Sequence, residues 1–281
     1  MTCLLITACG LLAQAGSLAR NADFKVEYDG RRLDVYTYKP PSFRDGPMLM
    51  VFHGADRNAQ EYRDHARAMG DRFGMLVVAP RFDPIQFGVG MYQQGGLFQE
   101  GELAPPSKWT WNLVPKIREE VYRREGRSEL PCYMIGHSGG GQFLMRMSGF
   151  IDPGAVRVVA ANPGSDLFPT TLFDYPYGFG NLPEELSDDQ RLRRYLAQPL
   201  TLYLGDKDTE RDQDLDTSPA ADRQGENRFD RGRHAFRAAE DLARSKGWEF
   251  RWRLVVTPDV GHDHQAMFDA PECESALFGA K

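Results

Sequence analysis

The residues best placed to do chemistry are Gly136-His137-Ser138-Gly139-Gly140. They follow the apolar run Cys132 to Ile135 and lead into a helical stretch, Gln142 to Phe150. A serine on so tight a strand-to-helix turn is held out at a sheet edge, and its small neighbours let strand and helix approach. The competing reading is a glycine-rich loop whose serine merely caps a helix, but a cap needs no glycine on the strand side. A serine hydroxyl is a weak nucleophile and needs a base within hydrogen-bond reach. Of six histidines, His262 in Pro258-Asp259-Val260-Gly261-His262-Asp263 follows the last expected strand, on a loop that would reach Ser138. It is the candidate base, with His264 as the alternative. His65 and His234 fall in helical stretches among charged neighbours and read as solvated, while His137 reads as structural, directed into the fold. A third group must orient the imidazole and stabilise its charge. Gly205-Asp206-Lys207-Asp208, after another apolar strand, offers two aspartates for that role.

The elements needed to position these groups are legible as an alternation. Asp23 to Tyr28 and Leu33 to Tyr38 alternate at period two around Asp29-Gly30, which reads as a hairpin. Met48 to Phe52, Met75 to Ala79, Cys132 to Ile135, Val156 to Ala160 and Leu200 to Leu204 are apolar on both faces, as strands covered by helices on both sides must be. Glu249 to Val256 alternates and suits a position near a sheet edge. Helical spacing runs over Ala59 to Phe73, from Leu113 through Val121, over Gln142 to Phe150, after the capping-box pattern Ser187 to Gln190, and from Ala235 to the stop at Gly247. Eight strands alternating with helices predict a single α/β domain, with a mostly parallel sheet, helices on both faces and an opening antiparallel hairpin. Two connections, 81–111 and 162–186, are too long for linkers and follow the C-terminal ends of apolar strands, where open α/β sheets bind ligands. Their aromatic residues, such as Tyr92, Phe98, Trp109, Trp111, Tyr175 and Tyr177, point to an apolar or aryl acyl group or a polyester chain, unless they fill the core.

From Ser138 and its setting outward, the chain resembles the α/β-hydrolase superfamily, and the resemblance covers everything after residue 19. Serine, aspartate and histidine stand in the family's order. Phe52-His53-Gly54-Ala55-Asp56 and the serine turn are similar to those of small secreted esterases of the polyhydroxybutyrate depolymerase-like and feruloyl esterase-like kinds. The resemblance implies Ser138 as nucleophile, His262 as base and Asp208, three residues after Gly205, as the acid. It also implies an oxyanion hole from the backbone N–H groups of Gly139 and, through the His-Gly-x turn, Ala55. Asp56 would brace that loop or cap the following helix. The expected activity is cleavage of a small or polymeric carboxylic ester through an acyl-serine intermediate, with no cofactor and no metal. The same three residues would serve a peptidase or an acyltransferase, and a non-catalytic binding protein on this scaffold is the alternative of another class. Asp212-x-Asp214-x-Asp216 is similar to a calcium loop, but it lacks the glycine and the glutamate that such a loop needs.

Composition fits these expectations. The chain has 281 residues, 41% hydrophobic and 26% charged, which describes one ordinary globular domain that needs no disulfide or metal staple. A net charge of −6, with no run of Lys and Arg, argues against a nucleic-acid partner. Residues 1–19 are apolar and uncharged up to Arg20, with Ser17-Leu18-Ala19 offering a cleavage site, so they read as a secretory leader without its basic start. The expected location is therefore secreted or periplasmic. The stretch is too short for a membrane span, and Ile6 to Gly10 resembles a lipobox that would anchor the chain through Cys9. Cys132 and Cys273 remain as a pair that could bridge, but Cys132 begins an apolar strand where a free thiol is at home, and we expect no bridge.

Overall fold

The computed structural model describes residues 17–279. Strands β1 (Asn21–Tyr28) and β2 (Arg31–Tyr38) form the expected antiparallel hairpin. They are followed by β3 (Met48–Phe52), β4 (Leu76–Arg81), a two-residue hairpin of β5 (Phe98–Gln99) and β6 (Glu102–Leu103), then β7 (Cys132–His137), β8 (Arg157–Ala161), β9 (Leu200–Gly205) and β10 (Arg253–Thr257). Eight of these make one sheet in the order β1-β2-β4-β3-β7-β8-β9-β10, antiparallel through β1, β2 and β4 and parallel from β4 onward.

The apolar strands explain themselves by period two, because successive side chains point to opposite faces. Met48, Met50 and Phe52 enter one core, with Met134 and Leu202, under the helices Leu113–Glu125, Gly139–Phe150 and Arg228–Lys246. Leu49 and Val51 enter a second core on the other face, with Ile135 and Tyr203, under the helices Ala59–His65, Arg67–Phe73 and Glu272–Phe278. Every residue of β3 is buried, as a strand between two helical layers requires.

Some expectations shift locally. The helix expected over 59–73 is two helices, broken at Ala66. The cap expected near Ser187 is Asp188, whose carboxylate accepts from the Arg191 amide. The last strand starts at Arg253, four residues later than its alternation suggests. Before it, the Arg251 amide bonds to the Leu196 carbonyl and the Trp252 indole N–H bonds to the Tyr195 carbonyl, so this stretch is held by the end of the helix Asp189–Leu196 and does not pair with β9. Cys132 and Cys273 are both buried and free.

Residues 1–16 of the expected leader lie outside the described residues. Of its last three, Leu18 is packed into the first core, and its amide donates to Glu125 Oε1 at 2.9 Å. Glu125 in turn pairs with Lys39 at 2.6 Å, so the folded unit takes in Leu18. Among the described residues no helix is long and apolar enough to cross a membrane.

Candidate active site

The chain runs from β3 out to β4 on one side and returns to β7 on the other, so strand order reverses at β3. Such a reversal opens a crevice at the carboxyl ends of the strands. The register aligns Phe52 with Gly136, His137 with Ala161, and Gly205 with Thr257. Each strand end in that row therefore delivers its following loop to the same edge.

Ser138 sits at the tip of β7 with φ 56° and ψ −117°, a conformation costly for any residue with a side chain. Its surroundings enforce it. The Ser138 amide donates to the Ala161 carbonyl at 3.0 Å, and the helix starting at Gly139 runs directly under β3. A Cβ on Gly140 would lie 2.3 Å from the Phe52 carbonyl oxygen, and one on Gly136 would lie 2.4 Å from the Gly140 oxygen. Both flanking glycines are thus demanded by backbone contact.

His262 Nδ1 lies 2.7 Å from Asp208 Oδ2. Asp208 is buried at the turn after β9, with its amide donating to the Gly205 carbonyl. Its other oxygen has no hydrogen-bond partner; the nearest cation is the buried Arg228 guanidinium at 3.6 Å. Arg228 itself forks onto Asp212 at 2.7 and 2.8 Å, and this bond holds the Asp212 carboxyl down at about 2. Asp206 faces elsewhere, its Oδ1 accepting from the Asp259 amide at 2.8 Å, which braces the turn before His262. His264, the alternative base, stacks flat on Tyr62 with ring centroids 3.9 Å apart and bonds to His65.

His137 is buried with its ring centre 4.6 Å from that of His262, and shares a 3.3 Å hydrogen bond with the Tyr62 hydroxyl. Burial, then the neighbouring His262, push its pKa well below the ordinary histidine value. It is therefore a neutral neighbour to His262. On the other wall, Gly54 lies close to the serine: a Cβ there would be 3.6 Å from Ser138 Cβ. Ala55 is exposed beside it and lines the same cleft. His53 ties this loop down. Its Nε2 accepts from the Phe82 amide at 3.0 Å, which leaves the proton on Nδ1 for the Gly54 carbonyl at 3.0 Å, and burial lowers its pKa to about 3. Tyr92 donates to the His53 carbonyl at 2.8 Å, and Arg57 stacks over the Tyr92 ring. Asp56 is exposed and takes no part, and the helix N-cap is Asn58.

Three contributors gave no signal in the sequence. Asn162, fully buried just beyond β8 at φ 42°, accepts the Gly205 amide on Oδ1 at 2.8 Å and donates from Nδ2 to the Gly261 carbonyl at 3.1 Å. It joins the loop of Asp208 to the loop of His262. Gln93 lies against Gly139, its Nε2 3.1 Å from where a Cβ would stand, and its Oε1 is buried without a partner. Arg146, from the helix after Ser138, donates to the Gln93 and Pro176 carbonyls and to Ser165 Oγ, which pins loops 81–111 and 162–186 together.

Both long loops do wall the cleft, which holds about 340 Å³ and opens at Ser138. Their aromatics mostly do not. Tyr92, Trp109, Trp111 and Phe179 are buried in the first core, and of the aromatics expected at the walls only Tyr177 lines the cleft, beside Gln93, Gln94, Gln142, Arg146 and Ser165. The wall is amide-rich and polar. Asp212 and Asp216 are engaged separately, with Arg228 and with the Tyr177 hydroxyl.

Neither a scan of family sequence models nor a search of curated protein sequences returns a match. Solved structures do match. The poly(3-hydroxybutyrate) depolymerase LpqC from Bordetella parapertussis is 32% identical, with a TM-score of 0.83 over 92% of this chain and 90% of that one. The chain belongs to the α/β-hydrolase family. Poly(aspartic acid) hydrolase-1 from Sphingomonas sp. KT-1 is similar to this hydrolase to the same degree, at 30% identity and a TM-score of 0.82 over 88% of this chain and 95% of that one. The siderophore hydrolase EstA from Aspergillus nidulans, at 13% identity and a TM-score of 0.55 over 95% of this hydrolase and 96% of its own length, shares the fold alone.

Proposed function

We propose that this hydrolase cleaves carboxylic esters through an acyl-Ser138 intermediate. The carrying observation is the pairing of a strained, cleft-facing Ser138 with a His262 whose Nδ1 is held 2.7 Å from the buried Asp208 carboxylate. With Nδ1–H donated to Asp208, the lone pair of His262 lies on Nε2, the nitrogen that a base needs. Ser138 Oγ loses its proton to His262 and attacks the ester carbonyl. The tetrahedral oxyanion is met by the N–H groups of Gly139 and Ala55, and the alcohol leaves with the proton from His262. Water then repeats the cycle on the acyl-enzyme. A neutral His137 adds no repulsion as His262 becomes cationic.

The polar wall favours a short, oxygen-bearing acyl chain, such as a hydroxy acid or its oligomer, over a long apolar or aryl one. The relative named a poly(3-hydroxybutyrate) depolymerase supports the same reading. A second reading, hydrolysis of an acidic polymer, is supported by the relative named a poly(aspartic acid) hydrolase, while the cleft favours it less, because Asp214 and Asp216 line it and the buried Arg146 guanidinium is engaged by Gln93, Pro176 and Ser165. Export remains our reading of residues 1–19, with the burial of Leu18 favouring a cut before Ser17 over one after Ala19. Nitrophenyl esters of rising chain length, feruloyl esters, hydroxybutyrate oligomers and aspartate oligomers, compared by kcat/KM, test the substrate reading. Preference for hydroxybutyrate oligomers supports it. A kcat/KM that climbs steadily with apolar chain length would refute it.

A further inference from the structure

Behind the Tyr62 ring, outside the catalytic cleft, three side chains from two helices converge. Glu61 and His65 are four residues apart on the helix Ala59–His65 and so share one face. His264 opens the helix His264–Asp269 and meets them from almost two hundred residues away. Its Nε2 lies 2.8 Å from His65 Nδ1, and one ligand atom from each of the three residues falls within 4.8 Å of the others.

We infer that Glu61, His65 and His264 form a zinc(II) site. Two imidazole nitrogens that face each other at 2.8 Å can share only one proton, so one lone pair is always spent on the other ring's N–H. A divalent metal takes both lone pairs, and the shared proton moves to the far nitrogen of its own ring, so that each imidazole binds in its neutral form. Tetrahedral zinc with bonds of about 2.0–2.1 Å places its ligands about 3.3 Å apart. The two rings need to separate by only about half an ångström, and the exposed Glu61 side chain has the freedom to swing in. Water from the open side completes four ligands.

The surroundings already orient the donors. Asn58 Nδ2 donates to Glu61 Oε2 at 2.9 Å, leaving Oε1 for the metal. Tyr62 stacks on the His264 ring at a 6° interplanar angle and fixes its direction. Such outer contacts are what hold metal-ligating groups in place. Imidazole with one carboxylate suits zinc among the common divalent ions and does not suit magnesium or calcium. The helix of Glu61 and His65 follows the Gly54–Ala55 loop, and the helix of His264 follows His262. A metal here staples the two flanks of the active site without touching the cleft.

The test uses the full chain, stripped with a chelator and titrated with zinc sulfate, with bound metal measured after dialysis and unfolding followed by thermal melting. One zinc per chain is expected, with a Tm raised by roughly 5 °C at saturating metal. Cobalt(II) in its place should give the intense visible bands of a tetrahedral site. His65→Gln and Glu61→Gln, both outside the catalytic groups, should each lose the Tm rise and the cobalt bands, while Ser138→Ala keeps them. Magnesium should do nothing. Absence of saturable uptake, or equal uptake by the His65→Gln and Glu61→Gln proteins, would overturn the assignment whatever the esterase result.

Discussion

Replacing Asn162 by alanine should separate the catalytic loops from the fold that carries them. The amide side chain satisfies the buried Gly205 N–H at 2.8 Å and the Gly261 carbonyl at 3.1 Å, and alanine satisfies neither. The buried Gly205 N–H left without a partner costs about 1–3 kcal/mol, and the lost bond to the half-buried Gly261 about 1 kcal/mol. The position also has φ 42°, where asparagine is tolerated and alanine costs about 1 kcal/mol more. Together these give about 3–5 kcal/mol, within the 5–15 kcal/mol or so of a whole domain, so the variant should still fold at room temperature. At about 2–4 °C per kcal/mol, Tm should fall by roughly 6–20 °C. The same bonds hold Asp208 and His262 in register, and a shift of about 1 Å in a catalytic group can cost up to about a hundredfold in rate. Since Asn162 does not line the cleft, kcat should fall with KM nearly unchanged. Asn162→Gly should recover the backbone cost but neither hydrogen bond, and so remain close to the alanine variant. Thermal melting and steady-state ester hydrolysis read all of this. An Asn162→Ala protein with wild-type Tm and kcat would refute the reasoning.

Asp208→Asn should lower kcat by orders of magnitude and Asp206→Asn by much less, because only Asp208 touches His262 while Asp206 braces a neighbouring turn; parallel kinetics decide. Gly140→Ala should abolish soluble, active protein, since its Cβ meets the Phe52 carbonyl at 2.3 Å, and a well-folded variant by circular dichroism would contradict the close approach. Gln93→Ala, which removes the amide beside Gly139, should lower kcat more than it raises KM if that amide helps hold the oxyanion, and a pure KM effect would assign it to binding alone. Asp166 is fully buried with neither oxygen bonded, and burial, offset in part by Arg146 and Arg231, pushes its carboxyl up to about 7. The folded state therefore keeps a proton that the unfolded chain loses near its ordinary value of 3.8, so this group's contribution is full below that value and is lost as pH rises through about 7. Asp166→Asn should thus flatten the fall in Tm between about pH 4 and pH 7, and an unchanged slope would refute it.

The chemistry was most legible where local backbone geometry demands a residue type. Gly136 and Gly140 announce themselves because contacts with β3 and with the helix start permit little else, and they mark out the Ser138 between them. The apolar strands were equally plain, because burial on both faces leaves no polar position to blur them. Residues that act through tertiary contact left no such trace. Asn162, Arg228 and Arg146 are ordinary polar letters whose partners lie tens of residues away. The aromatics of the long loops misled for the same reason: an aromatic in a loop reads alike whether it faces a ligand or fills the core, as Trp111 does. The choice between Asp206 and Asp208 rested on the family's pattern, since both follow one strand, and what separates them is the direction of each side chain at an irregular turn.

The nucleophile is tested most directly by covalent capture. Incubation with a fluorophosphonate, followed by peptide mass spectrometry, should place a single phosphonyl group on Ser138. Labelling should disappear in Ser138→Ala and slow sharply in His262→Ala, in step with the loss of ester hydrolysis. Adducts on another residue, or ester turnover that persists in Ser138→Ala at the wild-type rate, would contradict a serine mechanism at this site.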